Sequence, residues 1–220
     1  IKTNQFRGSV FAVLLKKLYN KPLIVRLGWY HGHFNPPVRT KKEVEKWVFS
    51  NSDRIILTNE LAKKYICDIY NIKSENVSVI PNAIDTDLFS PSLCNKEYDI
   101  VYIGRLHEEK NLELLISALD LIKKPLKVLI VGDGDLEILK KIKAVNVHNI
   151  DYKKHVPNSE LPDILNKSRV FVLLSKYEGN PKTLLEAMSC GLPVIGNNSP
   201  GISEIIDDNE RDCLLIMIPI

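Results

Sequence analysis

The stretch VFVLLSKYEGNPKTLLEAMSCGLPVI, residues 170–195, decides the fold class. It opens with an apolar, β-branched run, Val170–Leu174, and passes through a polar loop into a helical pattern over Thr183–Ser189. A glycine suited to a helix end follows, and Pro193–Ile195 begins a second strand. A strand, a helix and a strand in this order predict a βαβ unit, which implies a parallel sheet.

The same alternation continues on both sides of this unit. Further strands of the second part are predicted at Asp99–Ile103, Lys127–Val131, Val147–Ile150 and Cys213–Ile218. Its other helices are predicted at Asn111–Ile122, Leu136–Lys143, Ser159–Asn166 and Gly201–Ile206. The first part has predicted strands at Pro22–Leu27, Arg54–Thr58 and Val77–Ile80, and predicted helices at Val10–Tyr19, Lys41–Phe49 and Glu60–Tyr70. We therefore predict an α/β protein with doubly wound parallel sheets.

A turn-rich segment, residues 81–97, interrupts this rhythm and is predicted to link two domains. The second domain, 98–220, has about six strands, enough for a complete doubly wound fold. The first, 1–80, has three or four, so we expect half of it to be missing. Since the chain also starts at Ile1 and ends within an apolar run, we expect a fragment.

Composition excludes several broad classes. Of the 220 residues, 45% are hydrophobic and 26% charged, which is ordinary for a globular protein and argues against wholesale disorder. No apolar run approaches the roughly 18–20 residues of a membrane span. The four cysteines form no C-x-x-C pair, so neither a zinc site nor a disulfide framework is expected, and a cytoplasmic location fits best.

Charge is distributed unevenly along the chain. Residues 1–90 carry 14 basic and 8 acidic side chains, net +6, whereas residues 91–220 carry 16 and 19, net −3. A basic first part could contact the anionic inner face of a membrane or an acidic acceptor, and a solvated helix face is the alternative. We predict no nucleic-acid partner.

The first candidate site follows the strand Asp99–Ile103, because ligands of parallel sheets bind beyond the carboxyl ends of strands. Gly104 permits a tight turn, and Arg105 and Lys110 are two cations close to a helix start. Two cations beside helix amides make an anion site suited to a diphosphate. The alternative is a surface turn whose cations pair with the neighbouring Glu108–Glu109.

Two more loops end at the same predicted edge. The strand Lys127–Val131 is followed by Gly132-Asp133-Gly134, a G-x-G turn without the third glycine of a dinucleotide fingerprint. In the loop after Val170–Leu174, the Glu178 carboxylate could accept hydrogen bonds from sugar hydroxyls. The amides of Thr183–Leu184 could hold phosphate oxygens.

Helix caps give several of these residues a purely structural alternative. Thr183 and Glu186 fit the T-x-x-E capping box. Asn111 is predicted to cap the helix after the first loop. Ser199, followed by Pro200 at the first helical position, is predicted to cap the helix at 201–206.

The first part offers a weaker candidate. The strand Pro22–Leu27 leads into an aromatic loop that contains His31 and His33. A metal site would need a third ligand, and none stands at a typical spacing, so we predict no metal site. A recognition loop at the edge of the sheet is the preferred interpretation.

Taken together, these motifs resemble the GT-B glycosyltransferases, specifically the large retaining family 4 that shares the glycosyl transferases group 1 domain. Residues 79–85, VIPNAID, look like the V-I-P-N-G-V-D stretch at the domain junction. Gly104-Arg105-Leu106…Lys110 is similar to G-R-L-x-x-x-K, and Gly132–Gly134 fits the G-x-G turn. Glu178 and Glu186 match E-x7-E. The resemblance implies two Rossmann-like domains, the first incomplete here.

The resemblance also implies roles. Arg105 and Lys110 would neutralise the leaving diphosphate, Glu178 would touch the donor sugar, and Glu186 would hold ribose hydroxyls. The further implied donor-binding residues are Gly104, Gly132, Asp133, Gly179, Asn180, Pro181, Thr183 and Leu184. The usual E-G-F-G reads Glu178-Gly179-Asn180-Pro181 here, which leaves the sugar open.

The implied reaction is sugar transfer from a UDP- or GDP-sugar donor, with retention of configuration and without a metal or other cofactor. The implied acceptor is a glycan, a lipid-linked sugar or a polysaccharide precursor. Two alternatives stay open. One is a nucleotide-sugar 2-epimerase of GT-B fold, and the other is a donor-binding fragment without transferase activity.

Overall fold

The computed structural model describes residues 1–6, 8–28, 39–144, 147–206 and 214–215. The chain divides into two compact units, Ile1–Asn82 and Ala83–Ile220. Each unit has one parallel sheet whose strands alternate with helices along the chain. The predicted α/β class is therefore confirmed.

The first unit has a four-stranded sheet in the order β1-β2-β3-β4, with every described pairing parallel. Its strands are β1 (Lys2–Asn4), β2 (Ile24–Arg26), β3 (Arg54–Leu57) and β4 (Val77–Val79). Its helices are α1 (Ser9–Tyr19), α2 (Arg39–Ser50) and α3 (Glu60–Tyr70), with a 3₁₀ turn at Ser74–Asn76. Val25, Ile55 and Leu57 from the two central strands form the core with Phe49 and Ile66 from the helices.

The second unit has a six-stranded parallel sheet. Its strands are β5 (Tyr98–Ile103), β6 (Lys127–Val131), β7 (Asn149–Lys153), β8 (Ser168–Leu173), β9 (Val194–Gly196) and β10 (Leu214–Leu215). Its helices are α4 (Leu112–Leu121), α5 (Leu136–Lys143), α6 (Leu161–Asn166) and α7 (Lys182–Ser189), with 3₁₀ turns at Glu108–Lys110 and Asn158–Glu160. No helix in the described part of the chain is long and apolar enough to cross a bilayer.

The strand order of the second unit, β10-β9-β8-β5-β6-β7, reverses direction between β5 and β8. These two central strands are paired in register, with Ile100 opposite Val170 and Val101 opposite Phe171. Their side chains, together with those of β6 and β9, form the buried core. In a doubly wound sheet, the reversal is where loops diverge and leave a crevice for a ligand.

The segment after Ala83 packs against the second unit. Phe89 is buried in its core. The Asn166 side chain donates to the Ser90 carbonyl oxygen at 3.0 Å and accepts from the Ser92 amide at 2.8 Å. The segment predicted as a linker therefore makes specific contacts within this unit from Phe89 onward.

Two predicted elements differ from the structure. Strand β7 covers Asn149–Lys153 rather than Val147–Ile150, because an edge strand needs few apolar residues and its polar half carried no apolar signal. The helix predicted at 201–206 is a run of turns. Gly201 has a φ of +79°, a left-handed conformation that interrupts a right-handed helix.

Candidate active site

Three of the predicted loops meet at the carboxyl edge of the second sheet. The Gly104 amide donates to Val131 O at 2.9 Å, and the Leu106 amide donates to Asp133 O at 2.8 Å. The Gly132 amide donates to Lys153 O at 2.9 Å. Strand pairing therefore continues into the loops after β5 and β6, which holds Gly104, Gly132 and Asp133 side by side.

The loops after β5 and β8 are joined by an ion pair between Lys110 Nζ and Glu178 Oε1. Both side chains are largely buried, with 17% of Lys110 and 12% of Glu178 exposed. The Ser175 hydroxyl donates to the same Glu178 oxygen at 2.6 Å. Two predicted catalytic residues, 68 positions apart, are thus in direct contact at the strand-order reversal.

The Glu178 loop is supported from below by the loop after β9. The Glu178 amide donates to Pro200 O at 3.0 Å, and the Ser199 hydroxyl donates to Ser175 O at 2.8 Å. The prediction that Ser199 caps a helix is wrong, because residues 201–206 form turns rather than a helix, and its hydroxyl donates to the β8 loop instead. These contacts fix the backbone that carries Glu178.

Arg105 is far more exposed than Lys110 and has a different partner. Its side chain is 64% exposed, and its guanidinium lies 3.6 Å from Glu109 Oε2. The Tyr177 hydroxyl donates to the other Glu109 oxygen at 3.3 Å, so Glu109 lies between the β5 and β8 loops. The alternative predicted that both cations pair with Glu108–Glu109. Arg105 does pair with Glu109, whereas Lys110 pairs with Glu178.

Tyr102 lies under the first loop. Its ring is buried, and its hydroxyl donates to Arg105 O at 2.9 Å. Burial raises the pKa of this phenol well above its ordinary value, and the negative charge of Glu178 raises it further. Tyr102 is therefore a neutral hydrogen-bond donor that supports the backbone of Arg105.

Helix α7 begins with amides that lack partners. It starts at Lys182 after Pro181, and it has no side-chain cap. Within the described residues, the amides of 182–184 find no acceptor, and only Leu185 N bonds back to Pro181 O, at 3.3 Å. The start of α7 can therefore receive an anion.

The capping box predicted from Thr183 and Glu186 is wrong. Thr183 is the second residue of α7 rather than its cap, because Pro181 occupies the cap position. Asn111 does occupy the cap position of α4, but its φ of 52° is left-handed and its side chain makes no capping bond. An N-cap side chain normally reaches the first turn from an extended backbone, which Asn111 does not have.

Glu186 is buried without a hydrogen bond from any residue that the structure describes. Only 7% of it is exposed. Burial raises the pKa of its carboxyl group, and the charge of Lys182 partly opposes this. Its oxygens are not among the fully enclosed polar atoms that lack a partner in the described residues, so a ligand hydroxyl can reach them and donate a hydrogen bond.

The other predicted donor-binding residues surround this centre. Gly179 and Pro181 are buried, Asn180 and Thr183 are half-buried, and the Leu184 side chain belongs to the core. Leu184 can therefore contact a ligand through its backbone amide but not through its side chain. Asp133 lies apart from the ion pair, with its carboxylate 3.5 Å from Lys154 Nζ.

The described residues contain no cluster of three or more His, Cys, Asp and Glu side chains that could hold a metal ion. His31 and His33 lie outside the described residues. Sequence reasoning missed Ser175 and Tyr102, and it named Glu109 only as a surface partner of the loop cations. Ser175 stands three residues before Glu178 in the same loop, which was the available signal.

The chain is similar in sequence to known glycosyltransferases over most of its length. The family description "Glycosyl transferases group 1" matches residues 84–216, and "Glycosyltransferase Family 4" matches residues 2–88. The UDP-Gal:alpha-D-GlcNAc-diphosphoundecaprenol alpha-1,3-galactosyltransferase of Escherichia coli is 30% identical over 98% of this chain and 62% of its own length. The amylovoran biosynthesis glycosyltransferase AmsD of Erwinia amylovora is 26% identical over 91% and 59%. The chain spans about three-fifths of these relatives.

Solved structures show the same fold. Sucrose-phosphate synthase from Thermosynechococcus elongatus has a TM-score of 0.81 at 21% identity, covering 96% of this chain and 58% of its own. HepE of Anabaena in complex with UDP has a TM-score of 0.77 at 18% identity, covering 91% and 60%. At these identities the likeness concerns the fold alone, and it confirms the predicted fold class.

Proposed function

The chain belongs to the glycosyl transferases group 1 family, and from this we propose that the whole protein transfers a sugar from a nucleotide-diphosphate sugar to an acceptor. The observation that carries the proposal is the contact of Lys110 with Glu178 at the strand-order reversal, beside the unpaired amides of α7. A cation, a carboxylate and helix amides together suit a diphosphate joined to a sugar.

Lys110, Arg105 and the α7 amides would bind the donor diphosphate. In the reaction, the bond between the sugar anomeric carbon and the diphosphate oxygen breaks, and a bond to the acceptor oxygen forms. Negative charge develops on the leaving diphosphate, and the proton of the acceptor hydroxyl passes to that diphosphate. Cations fixed at that position stabilise the transition state more than the ground state.

The two carboxyl groups would bind hydroxyls of the donor. Glu178 Oε2 takes no hydrogen bond from the described residues, so a sugar hydroxyl can donate to it. Glu186 would accept from the ribose. A ligand role is supported because the side chain is largely buried, its oxygens stay accessible, and no described residue donates a hydrogen bond to them.

We further propose a UDP- or GDP-sugar donor, a glycan or lipid-linked acceptor, and retention of configuration without a metal ion. The name of the Escherichia coli relative gives a UDP-Gal donor and a diphosphoundecaprenol-linked acceptor, and HepE has been solved with UDP-glucose. The anomeric configuration of the product, read by proton NMR, tests retention. Activity that survives EDTA would support a metal-free reaction, and activity lost to EDTA would contradict it.

Calorimetric titration of this chain with UDP, GDP and ADP tests the donor site. We expect selective binding of one diphosphate. Arg105→Ala and Lys110→Ala should each weaken it by about 1–3 kcal/mol, the value of a charge-assisted contact. Lys140→Ala is the matched control, because Lys140 pairs with Glu137 on the exposed surface of α5.

Two results would contradict the assignment. Unchanged affinity in both variants would show that the diphosphate binds elsewhere. Failure of all three diphosphates to bind, both to this folded chain and to a longer protein containing it, would exclude a nucleotide-sugar site here. If a diphosphate does bind, the longer protein is assayed for donor hydrolysis and sugar transfer. Either reaction indicates an enzyme, and binding without reaction indicates a binding module.

A further inference from the structure

The ion pair between Lys110 and Glu178 has a consequence for ligand selection. Both groups are removed from most of the solvent, so each depends on the other for its compensation. In the absence of a ligand, Glu178 Oε1 has two donors, Lys110 Nζ and the Ser175 hydroxyl. The cation that would hold a diphosphate is therefore already engaged.

The backbone that carries Glu178 is held in place if Lys110 moves toward a ligand. Its amide is bonded to Pro200 O at 3.0 Å, and its loop is held through Ser175 O by the Ser199 hydroxyl at 2.8 Å. An anion that draws Lys110 away thus leaves a buried carboxylate with the Ser175 hydroxyl alone. Leaving a buried charge without its partner is strongly unfavourable.

A ligand that carries hydroxyl groups changes this balance. A nucleotide sugar brings an anion for Lys110 and, on the same molecule, hydroxyls that can donate to Glu178. A free nucleoside diphosphate brings the anion but lacks the sugar hydroxyls that would donate to Glu178, since its ribose hydroxyls are assigned to Glu186. Resting on the proposed function, we propose that the Lys110–Glu178 pair makes the site select the intact nucleotide sugar over the nucleoside diphosphate that is its product.

Glu178→Gln separates this selection from general charge effects. The amide keeps the shape of the side chain but needs no cation, so Lys110 is released for the diphosphate. We expect UDP or GDP, whichever binds the parent chain, to bind about tenfold more tightly, as for a hydrogen bond to a charged group. The affinity for the matching UDP-glucose or GDP-mannose should not rise, so the preference for the sugar conjugate falls about tenfold.

Glu108→Gln is the matched control. It also removes one negative charge, from the 3₁₀ turn that carries Lys110, but the Glu108 side chain is 85% exposed and pairs with Lys176 at the surface. We expect it to change the affinities for the diphosphate and the sugar conjugate by the same small factor. An equal gain in diphosphate affinity in both variants would mean that net charge alone is responsible, and it would overturn the proposal.

Ser175→Ala gives a shift in the opposite direction, which a loss of folding would not produce. Without the hydroxyl, Glu178 depends on Lys110 alone, so a free diphosphate should lose more affinity than its sugar conjugate. An unchanged ratio of the two affinities in both Glu178→Gln and Ser175→Ala would overturn the inference while leaving the donor site standing. Absence of any diphosphate binding, both to this chain and to a longer protein containing it, would overturn both.

Discussion

Replacing Gly201 by alanine should destabilise the second unit and disturb Glu178. Gly201 has a φ of +79°, and a Cβ there would lie 2.3 Å from the carbonyl oxygen of Glu178. A left-handed alanine costs about 1–2 kcal/mol. Overpacking against a backbone atom adds about 1–3 kcal/mol, so the free energy of unfolding should fall by about 2–5 kcal/mol.

Gly191→Ala isolates the first of these two costs. Gly191 is also left-handed, at +71°, but its nearest neighbours are side-chain atoms of Pro91 at 3.5 Å, an ordinary contact. We therefore expect Gly191→Ala to lower stability by about 1–2 kcal/mol only. The difference between the two variants measures the clash with Glu178.

The assay must report on the second unit alone. Both tryptophans, Trp29 and Trp47, belong to the first unit, so their fluorescence provides an internal reference. Hydrogen exchange of peptides from β5 and β8 in a denaturant series gives the stability of the second unit. Equal losses in Gly201→Ala and Gly191→Ala would refute the predicted contact. So would an unchanged diphosphate affinity in Gly201→Ala, since the added methyl group must displace the Glu178 backbone.

Three further outcomes are expected. Glu186→Gln should stabilise the chain at pH 7–8. Burial raises the pKa of the wild-type carboxyl group, so the free energy of unfolding of the wild type falls as the pH rises through that pKa. The stability difference between the variant and the wild type should vanish below the ordinary carboxyl pKa of about 4.3. Stability profiles that stay parallel over pH would contradict this. Burial raises the pKa of Cys190 to about 11, so iodoacetamide at pH 8 should label the exposed Cys94 and reach Cys190 only after unfolding, as mass spectrometry would show. Phe171→Ala should cost about 3–5 kcal/mol in the hydrogen-exchange assay, because this fully buried ring lies in a central strand; a loss under 1 kcal/mol would contradict that packing.

The apolar strands of both sheets could be predicted because they are buried, and a buried strand appears in the sequence as a run of apolar residues. Lys127–Val131 is a continuous apolar run after its first residue, and its predicted and observed bounds agree. Edge strands lack such an apolar run. Lys2–Asn4 was not predicted and Asn149–Lys153 was displaced, because both are polar segments held by backbone hydrogen bonds along one side.

The candidate site was predictable loop by loop but not as an arrangement. Glycines and charges after strands locate ligand loops in a parallel sheet, so Arg105, Lys110 and Glu178 could be selected from the sequence. Their pairing could not. Whether Lys110 pairs with Glu109 or with Glu178 depends on which strand lies beside β5. The hydrophobic periodicity of the sequence predicts strands but not their order in the sheet.

Cap patterns misled for a related reason. Thr183 and Glu186 have the spacing of a capping box, yet the helix begins one residue before Thr183 because Pro181 takes the cap position. The capping-box spacing assumes that Thr183 is the cap, but the cap lies two residues earlier, at Pro181. Glu186 is therefore the fifth residue of the helix, too far along it to accept a hydrogen bond from the cap residue, and its side chain is largely buried.

The position of β5 between β6 and β8 also bears on how the second unit folds. Strands β5, β6 and β7 are consecutive in sequence, so their pairing closes short loops. Strand β8 must return across that half-sheet to pair with β5, which costs more chain entropy and is slower. Lys110 follows β5 and is placed before this step, whereas Glu178 follows β8 and is placed only after it. A refolding chain can therefore bury much of its core before the two residues meet. Recovery of ligand binding during refolding should therefore lag behind recovery of secondary structure.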